Sequence, residues 1–367
     1  MQGRDDVLSV RDLEIGYTTD RGKVQAVRGV SFDLGDDESL AFIGESGSGK
    51  TTLGLSLVRL LPQNASIASG EIVFRTASEE TLDLTTLDDE ALRRFRWGEC
   101  AMVFQSALNA LNPVMRIRDH FADTAKDHGE TNGSLKGHAL TERATECLQM
   151  VQLDPDRVLG AFPHELSGGM RQRVMIAVAL ACGPKLLFAD EPTTALDVTV
   201  QAQILDLLQD QQRERFMAMI LVTHDLGVVA GRADDIAVMY AGRIVEKAPT
   251  RTLFREMRHP YSEALLESIP KLEAPNHTRL AAIGGRPPDL VNLPRGCKFA
   301  PRCPNVQDKC RQEEPPLIEH GTPGHEYACY FPVGSREGAE ARARNLAAGV
   351  NVTVGAASDP APAGRVG

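Results

Sequence analysis

Gly44-Glu-Ser-Gly-Ser-Gly-Lys50-Thr51 is the stretch whose reading decides the fold. It fits G-x-x-x-x-G-K-[ST] and follows Ser39-Leu-Ala-Phe-Ile43, a short apolar run that reads as a buried strand. A helical stretch, Thr51 to Leu61, comes next, with Leu53, Leu57 and Leu60 along one side. Strand, glycine-rich turn and helix together are the context a phosphate-binding loop requires. Glycines let the backbone curl so that successive N–H groups face phosphate oxygens. The helix N-terminus adds partial positive charge. Lys50 reaches the β- and γ-phosphates, and Thr51 offers a hydroxyl to Mg²⁺.

Two further stretches complement the loop. Leu186-Leu-Phe-Ala189 is a buried strand that ends in Asp190-Glu191. Carboxylates one residue apart cannot share one metal position. Asp190 is therefore expected to hold Mg²⁺, and Glu191 to polarise the attacking water as general base. An acidic turn ahead of Pro192 is the plainer alternative. Leu166-Ser167-Gly168-Gly169-Met170 precedes a strongly helical run. Ser167 is a good N-cap, and the glycines leave backbone N–H groups bare. That reads either as a second anion site or as an ordinary capped helix.

Around these motifs, strands alternate with helices, which argues an α/β domain with a largely parallel sheet. Val10, Ile15 and Tyr17, then Val30, Phe32 and Leu34, mark two early strands. Gly70 to Phe74, Ala101 to Phe104, Met219 to Val222 and Asp235 to Met239 are the others. From Arg116 to Ala181 the pattern is mostly helical, broken by the polar stretch Gly129 to Gly137. Composition shifts near Arg258, where prolines become frequent. The expected division is residues 1–258 for the main domain, with helices at about 107–180, then a small appendage at 259–336. Residues 337–367 form an Ala/Gly-rich tail, expected to be largely disordered apart from a short helix.

With 367 residues, the length fits one large and one small domain. The chain has 40 basic against 50 acidic residues, a net −10, so the broad basic footprint of a nucleic-acid binder is missing. No apolar run approaches the ~18 residues of a bilayer span. The N-terminus lacks the apolar core of a signal peptide, so a cytoplasmic location with reduced thiols is expected.

At this point the residues resemble a family. The phosphate loop, LSGGM at 166–170 and Leu186–Glu191 occur in the order found in ATP-binding subunits of ATP-binding cassette (ABC) transporters. So do Gln105, Ala195-Leu196-Asp197 and His224. The resemblance covers about residues 7–250. It implies an ABC-type P-loop domain with a RecA-like mixed sheet, an antiparallel β-subdomain and a helical subdomain. It also implies a dimer in which the ATP site of one subunit, Gly44, Glu45, Ser46, Gly47, Ser48, Gly49, Lys50, Thr51 and Thr52, faces Ser167, Gly168, Gly169 and Met170 of the other. Tyr17 would stack on adenine, unless it is simply a half-buried strand tyrosine. Gln105 would touch Mg²⁺ or water and report nucleotide to membrane subunits. Asp197 would couple the two sites, and His224 would hold the γ-phosphate and attacking water.

Thr193 to Gln201, His259 to Leu266, Leu111 to Val114 and Gly296 to Pro304 resemble the oligopeptide/dipeptide import branch. Ser106-Ala107-Leu108-Asn109-Ala110, after Gln105, departs from it: many peptide-importing members have an acidic residue and proline there. Peptide, nickel complex and oligosaccharide therefore stay open as solutes. The branch implies a second, paralogous nucleotide-binding subunit, two transmembrane permease subunits and an extracytoplasmic solute-binding protein. Residence would be peripheral, on the cytoplasmic face of the inner membrane. A soluble cassette ATPase of DNA repair or ribosomes is the alternative class, but those relatives usually carry a coiled-coil insertion or two cassettes.

Four of seven cysteines, Cys297, Cys303, Cys310 and Cys329, crowd the appendage, separated by five, six and eighteen residues. Four thiolates suit tetrahedral Zn²⁺ or an iron–sulfur cluster. Some members of the branch carry a [4Fe–4S] cluster on such a tail, and the resemblance favours it. His320 and His325 are alternative ligands; unligated thiols or disulfides are the plain reading. Cys100, Cys147 and Cys182 read as core residues. Arg295, Lys298, Arg302, Lys309 and Arg311 read as a solvated basic surface, with docking to an anionic membrane face or neighbouring subunit as the sharper alternative.

Overall fold

The computed structural model describes residues 6–104, 110–128, 137–194, 196–269 and 283–349. Among these, two sheets form. The antiparallel sheet has the order Gly22–Gly35, Asp6–Thr19, Ala65–Arg75, Thr81–Asp83. The larger sheet has a parallel centre in the order Asp235–Tyr240, Ser39–Ile43, Ala218–Thr223, Leu186–Asp190, Cys100–Val103. Arg243–Pro249 joins it antiparallel to Asp235–Tyr240. This is the ABC-type class expected: a mixed sheet core, an antiparallel β-subdomain and helices between them.

The central strands are apolar along their whole length because both faces are covered. Alternation assigns the faces. Ala41, Ile43, Leu187 and Ala189 enter one core with helical residues such as Phe121, Leu148 and Val174. Leu40, Phe42, Leu186 and Phe188 enter the other, with Leu53, Leu57 and the antiparallel sheet. The helix Lys50–Leu57 lies unusually close to the sheet. A Cβ on Gly54 would stand 2.1 Å from the Phe188 ring.

The helices Ile117–His128, Gly137–Met150, Pro155–Val158 and Gly168–Leu180 make up the expected helical region. Residues 129–136 of the expected polar loop lie outside the described residues.

The appendage is continuous with the main domain. Its strand Glu326–Tyr327 pairs with Arg243–Pro249, and Ile318–Glu319 extends the sheet further. Phe299, Ala300, Cys303, Val306 and Cys310 join the core that includes Tyr240 and Tyr261. A proline-rich segment with little core of its own thus borrows one. The helix Arg336–Ala347 continues from it, at the place where the sequence predicts a short helix within the tail. Arg342 on that helix pairs with Glu263. Residues 350–367 lie outside the described residues.

Candidate functional site

The parallel strands deliver their C-terminal ends to one edge, where ligands of open α/β sheets bind. Residues 44–49 leave Ser39–Ile43 and turn into the helix Lys50–Leu57. Gly49 has φ 105°, and a Cβ there would meet the Ala26 carbonyl at 2.3 Å, so this turn requires glycine. The buried Lys50 ammonium donates to the carbonyl oxygens of Gly44 at 2.7 Å and Glu45 at 3.0 Å, and to Ser48 Oγ at 3.1 Å. Burial lowers its pKa, while Glu191, Asp190 and Glu45 act in the opposite direction. A cation is therefore held inside the loop, beside two carboxylates.

Asp190 is 1% exposed, and its Oδ1 has no hydrogen-bond partner. Burial raises its pKa; a hydrogen bond from Thr51 lowers it. A buried carboxylate oxygen left unpaired beside a threonine hydroxyl suits a hard divalent cation that takes oxygen ligands. Asp190 and Thr51 thus fit Mg²⁺. Gln105, the third expected ligand, lies outside the described residues.

Glu191 follows at φ 45°, the left-handed region that non-glycine residues seldom occupy. Its N–H donates to the Val222 carbonyl at 2.9 Å. Its Oε2 accepts from the Thr194 hydroxyl at 3.0 Å, and His224 Nδ1 lies 3.3 Å from Oε1. The strand Ala218–Thr223 places His224 immediately beyond its end. Strained backbone with an oriented side chain is common at functional sites.

Tyr17 shares a 3.0 Å hydrogen bond with Thr52 Oγ1. With Lys23, Gln25 and Val27 it lines an open cavity of about 300 Å³. Ser167 Oγ accepts from Met170 N and caps the helix Gly168–Leu180. A Cβ on Gly169 would lie 2.8 Å from Val200, so that helix start is closely packed. Asp197 caps the helix Val198–Arg215 through Val200 N at 3.0 Å. Next to it Val198 is 81% exposed. Among the described residues, no hydrogen bond joins residues 167–170 to the phosphate loop.

In the appendage the basic residues are not uniformly solvated, contrary to expectation. Lys298 and Arg302 are buried. Lys298 Nζ donates to the carbonyl oxygens of Pro294 and Gly296 and pairs with Glu314 at 3.1 Å. Arg302 pairs with Glu45 of the phosphate loop. Local charge in sequence reads as surface; here short-range carbonyl and carboxylate partners make burial tolerable. Tyr261 and Arg302 were missed as site residues, and only their placement in the folded chain brings them to the loop. Cys100, Cys147 and Cys182 are buried as expected.

The four appendage cysteines are within electrostatic range of one another. Burial pushes the Cys297 thiol up to about 11 and that of Cys329 up to about 12. Nearby main-chain amides at Phe299, Ala300, Asn305, Gln307 and Phe331 act in the opposite direction. Among the described residues, no three His, Cys, Asp or Glu side chains form a group that could hold a metal ion. The expected four-cysteine ligand set, for an iron–sulfur cluster or for zinc, is therefore not supported by this arrangement. His325 Nε2 lies 2.8 Å from the buried Glu246 carboxylate.

The phosphate loop, the paired carboxylates and a capped glycine turn on one α/β sheet define an ABC-type nucleotide-binding protein. The profile described as "ABC transporter" matches residues 27–194, and that described as "Oligopeptide/dipeptide transporter, C-terminal region" matches residues 245–310. A putative peptide import ATP-binding protein of Brucella melitensis is 47% identical over 321 residues, 86% of this chain and 94% of that one. The oligopeptide transport ATP-binding protein OppD of Bacillus subtilis is 44% identical, over 85% of this chain and 86% of its own. The chain belongs to the ABC transporter family, as one of its ATP-binding proteins, and is an ABC ATPase. Among solved structures, a dimeric ATP-binding cassette in a post-hydrolysis state bound to ADP and Pi aligns with TM-score 0.57. It is 28% identical and covers 66% of this chain and 99% of its own.

Proposed function

We propose that this ATPase powers peptide import through a membrane ABC transporter. One observation carries the reading: an ABC transporter region and an oligopeptide/dipeptide transporter C-terminal region are matched in one chain. Peptide import is what the similar proteins are named for. No helix among the described residues is long and apolar enough to cross a membrane, so two permease subunits would supply the path. The chain would act peripherally on the cytoplasmic face, with an extracytoplasmic solute-binding protein delivering substrate and a paralogous second nucleotide-binding subunit.

In this mechanism the N–H groups of residues 46–52 and Lys50 bind the ATP phosphates, and Tyr17 stacks on adenine. Thr51 and Asp190, with Gln105, would hold Mg²⁺, which when bound neutralises charge on the β- and γ-phosphate oxygens. Glu191 takes a proton from the attacking water, and His224 orients that water and the γ-phosphate. Ser167, Gly168, Gly169 and Met170 close over the nucleotide of the partner subunit. Asp197, beside the exposed Val198, would couple the two sites. Cys297, Cys303, Cys310 and Cys329 would be the ligands of a [4Fe–4S] cluster, which would add stability to the appendage.

The test is ATP hydrolysis by the assembled transporter in vesicles, with binding protein and peptide present. Peptide should stimulate turnover and accumulate inside. Stimulation by an oligosaccharide or nickel complex, and not by peptide, would replace the solute assignment. Anaerobically purified protein lacking iron and visible charge-transfer absorbance would remove the cluster.

A further inference from the structure

The second residue of the phosphate loop is fastened from outside the loop. Glu45 N–H donates to the Tyr261 hydroxyl at 2.8 Å. Its carboxylate receives both arms of the Arg302 guanidinium, Nη1 to Oε2 at 2.6 Å and Nη2 to Oε1 at 2.9 Å. Arg302 belongs to the short turn Ala300–Arg302, directly before Cys303. Its side chain is 3% exposed. The remaining donors are engaged too: Nε with the Gly284 carbonyl at 2.8 Å, Nη1 with the Tyr240 hydroxyl at 3.2 Å and Nη2 with the Ile283 carbonyl at 3.3 Å. Tyr261 is fully buried, and its ring packs against Tyr240 and Phe299. A guanidinium held at every nitrogen is a rigid mount, and a bidentate carboxylate pair fixes orientation as well as distance.

What Glu45 does with that fixed position is visible on its other side. Its carbonyl oxygen and that of Gly44 are two of the three acceptors of the Lys50 ammonium, with Ser48 Oγ. Moving residue 45 moves the lysine that meets the phosphates.

We propose that Arg302 and Tyr261 are positioning residues for ATP: the appendage clamps Glu45, and Glu45 sets the phosphate loop and Lys50 in the shape that receives nucleotide. This assigns the appendage a direct part in nucleotide binding. It requires neither a particular solute nor an occupied cysteine site.

The test uses the full-length chain with Arg302→Gln, Arg302→Lys, Glu45→Gln, Tyr261→Phe and the double variant Arg302→Gln/Glu45→Gln. Affinity is read with a fluorescent ATP analogue, and KM and kcat from phosphate release. Arg302→Gln and Glu45→Gln should each weaken nucleotide binding and raise KM about tenfold, with kcat changed less than about threefold. The double variant should be no worse than either single one, because both break the same pair. Arg302→Lys should recover part of the affinity, and Tyr261→Phe should lose about threefold. Glu45→Gln and Tyr261→Phe keep every buried cation and ring, so they carry the test if Arg302→Gln unfolds the chain. Unchanged affinity in those two folded variants overturns the proposal, as do additive losses in the double variant.

Discussion

Glu191 Oε1 and His224 Nδ1 lie 3.3 Å apart, on the ends of two neighbouring strands, with the Thr194 hydroxyl on the other carboxylate oxygen. The carboxylate is thus aimed by partners within the chain. With Glu191 as the proposed base, Glu191→Gln keeps shape and hydrogen bonding but cannot take a proton. Turnover should fall at least ~10²-fold while nucleotide affinity stays within about threefold. The measurement is steady-state phosphate release beside equilibrium binding of a fluorescent nucleotide. Equal turnover in wild type and variant, within the purified assembly, would sink the assignment.

Asp190 offers a second check. Its unpartnered Oδ1 is buried beside Thr51, a costly arrangement unless a cation completes it. Asp190→Asn should therefore uncouple nucleotide from magnesium. In wild type, Mg²⁺ should raise the thermal stability conferred by ATP; in Asp190→Asn most of that increment should vanish. A full Mg²⁺ increment in the variant would show that this oxygen is not a ligand.

The approach of helix to sheet at Gly54 predicts a stability effect with a built-in rescue. A methyl group there would sit 2.1 Å from Phe188 Cζ, backed by a parallel sheet with no room to yield. Gly54→Ala should cost about 1–3 kcal/mol, the usual range for overpacking. Phe188→Leu in the same chain should recover part of the loss, since it removes the obstructing ring edge. Urea denaturation of the two variants separates this from any helix-propensity gain, which would make Gly54→Ala stabilising.

The motifs that lie along a single strand–turn–helix were legible because their chemistry is local. Gly44 to Thr51 needs only its own spacing and flanks, and Asp190-Glu191 needs only an apolar run before it. Arg302 was not legible. Its partner is 257 residues away in sequence, and an arginine within a locally basic, proline-rich stretch reads as surface. The same holds for Glu246 and His325, whose pairing depends on the appendage strand adding to the main sheet. Periodicity showed which segments are strands. It could not show that Glu326–Tyr327 would find Arg243–Pro249, because a two-residue strand carries no pattern of its own.

His259 supplies a prediction in pH. The ring is 1% exposed, and burial pushes its pKa down to about 4, with Glu246 acting in the opposite direction. Its Nδ1 accepts the Tyr261 N–H at 3.1 Å, which requires the neutral ring. The folded value lies below the ordinary 6.5, so the unfolded chain binds the extra proton first. The stability contributed is fully present above about pH 6.5 and is lost as pH falls toward 4. At ~1.4 kcal/mol per pH unit, the loss by pH 5 is about 2 kcal/mol. Glu99 and Asp190, whose carboxyls burial raises, tilt the curve the other way, so the comparison must be between variants. In His259→Asn the side-chain carbonyl can still take the Tyr261 N–H, and nothing titrates. Urea denaturation at pH 7.5, 6.5, 5.5 and 5 should give a stability difference between wild type and variant that shrinks steadily with acidification. A difference independent of pH across that range would mean that His259 is charged or solvated in the folded protein.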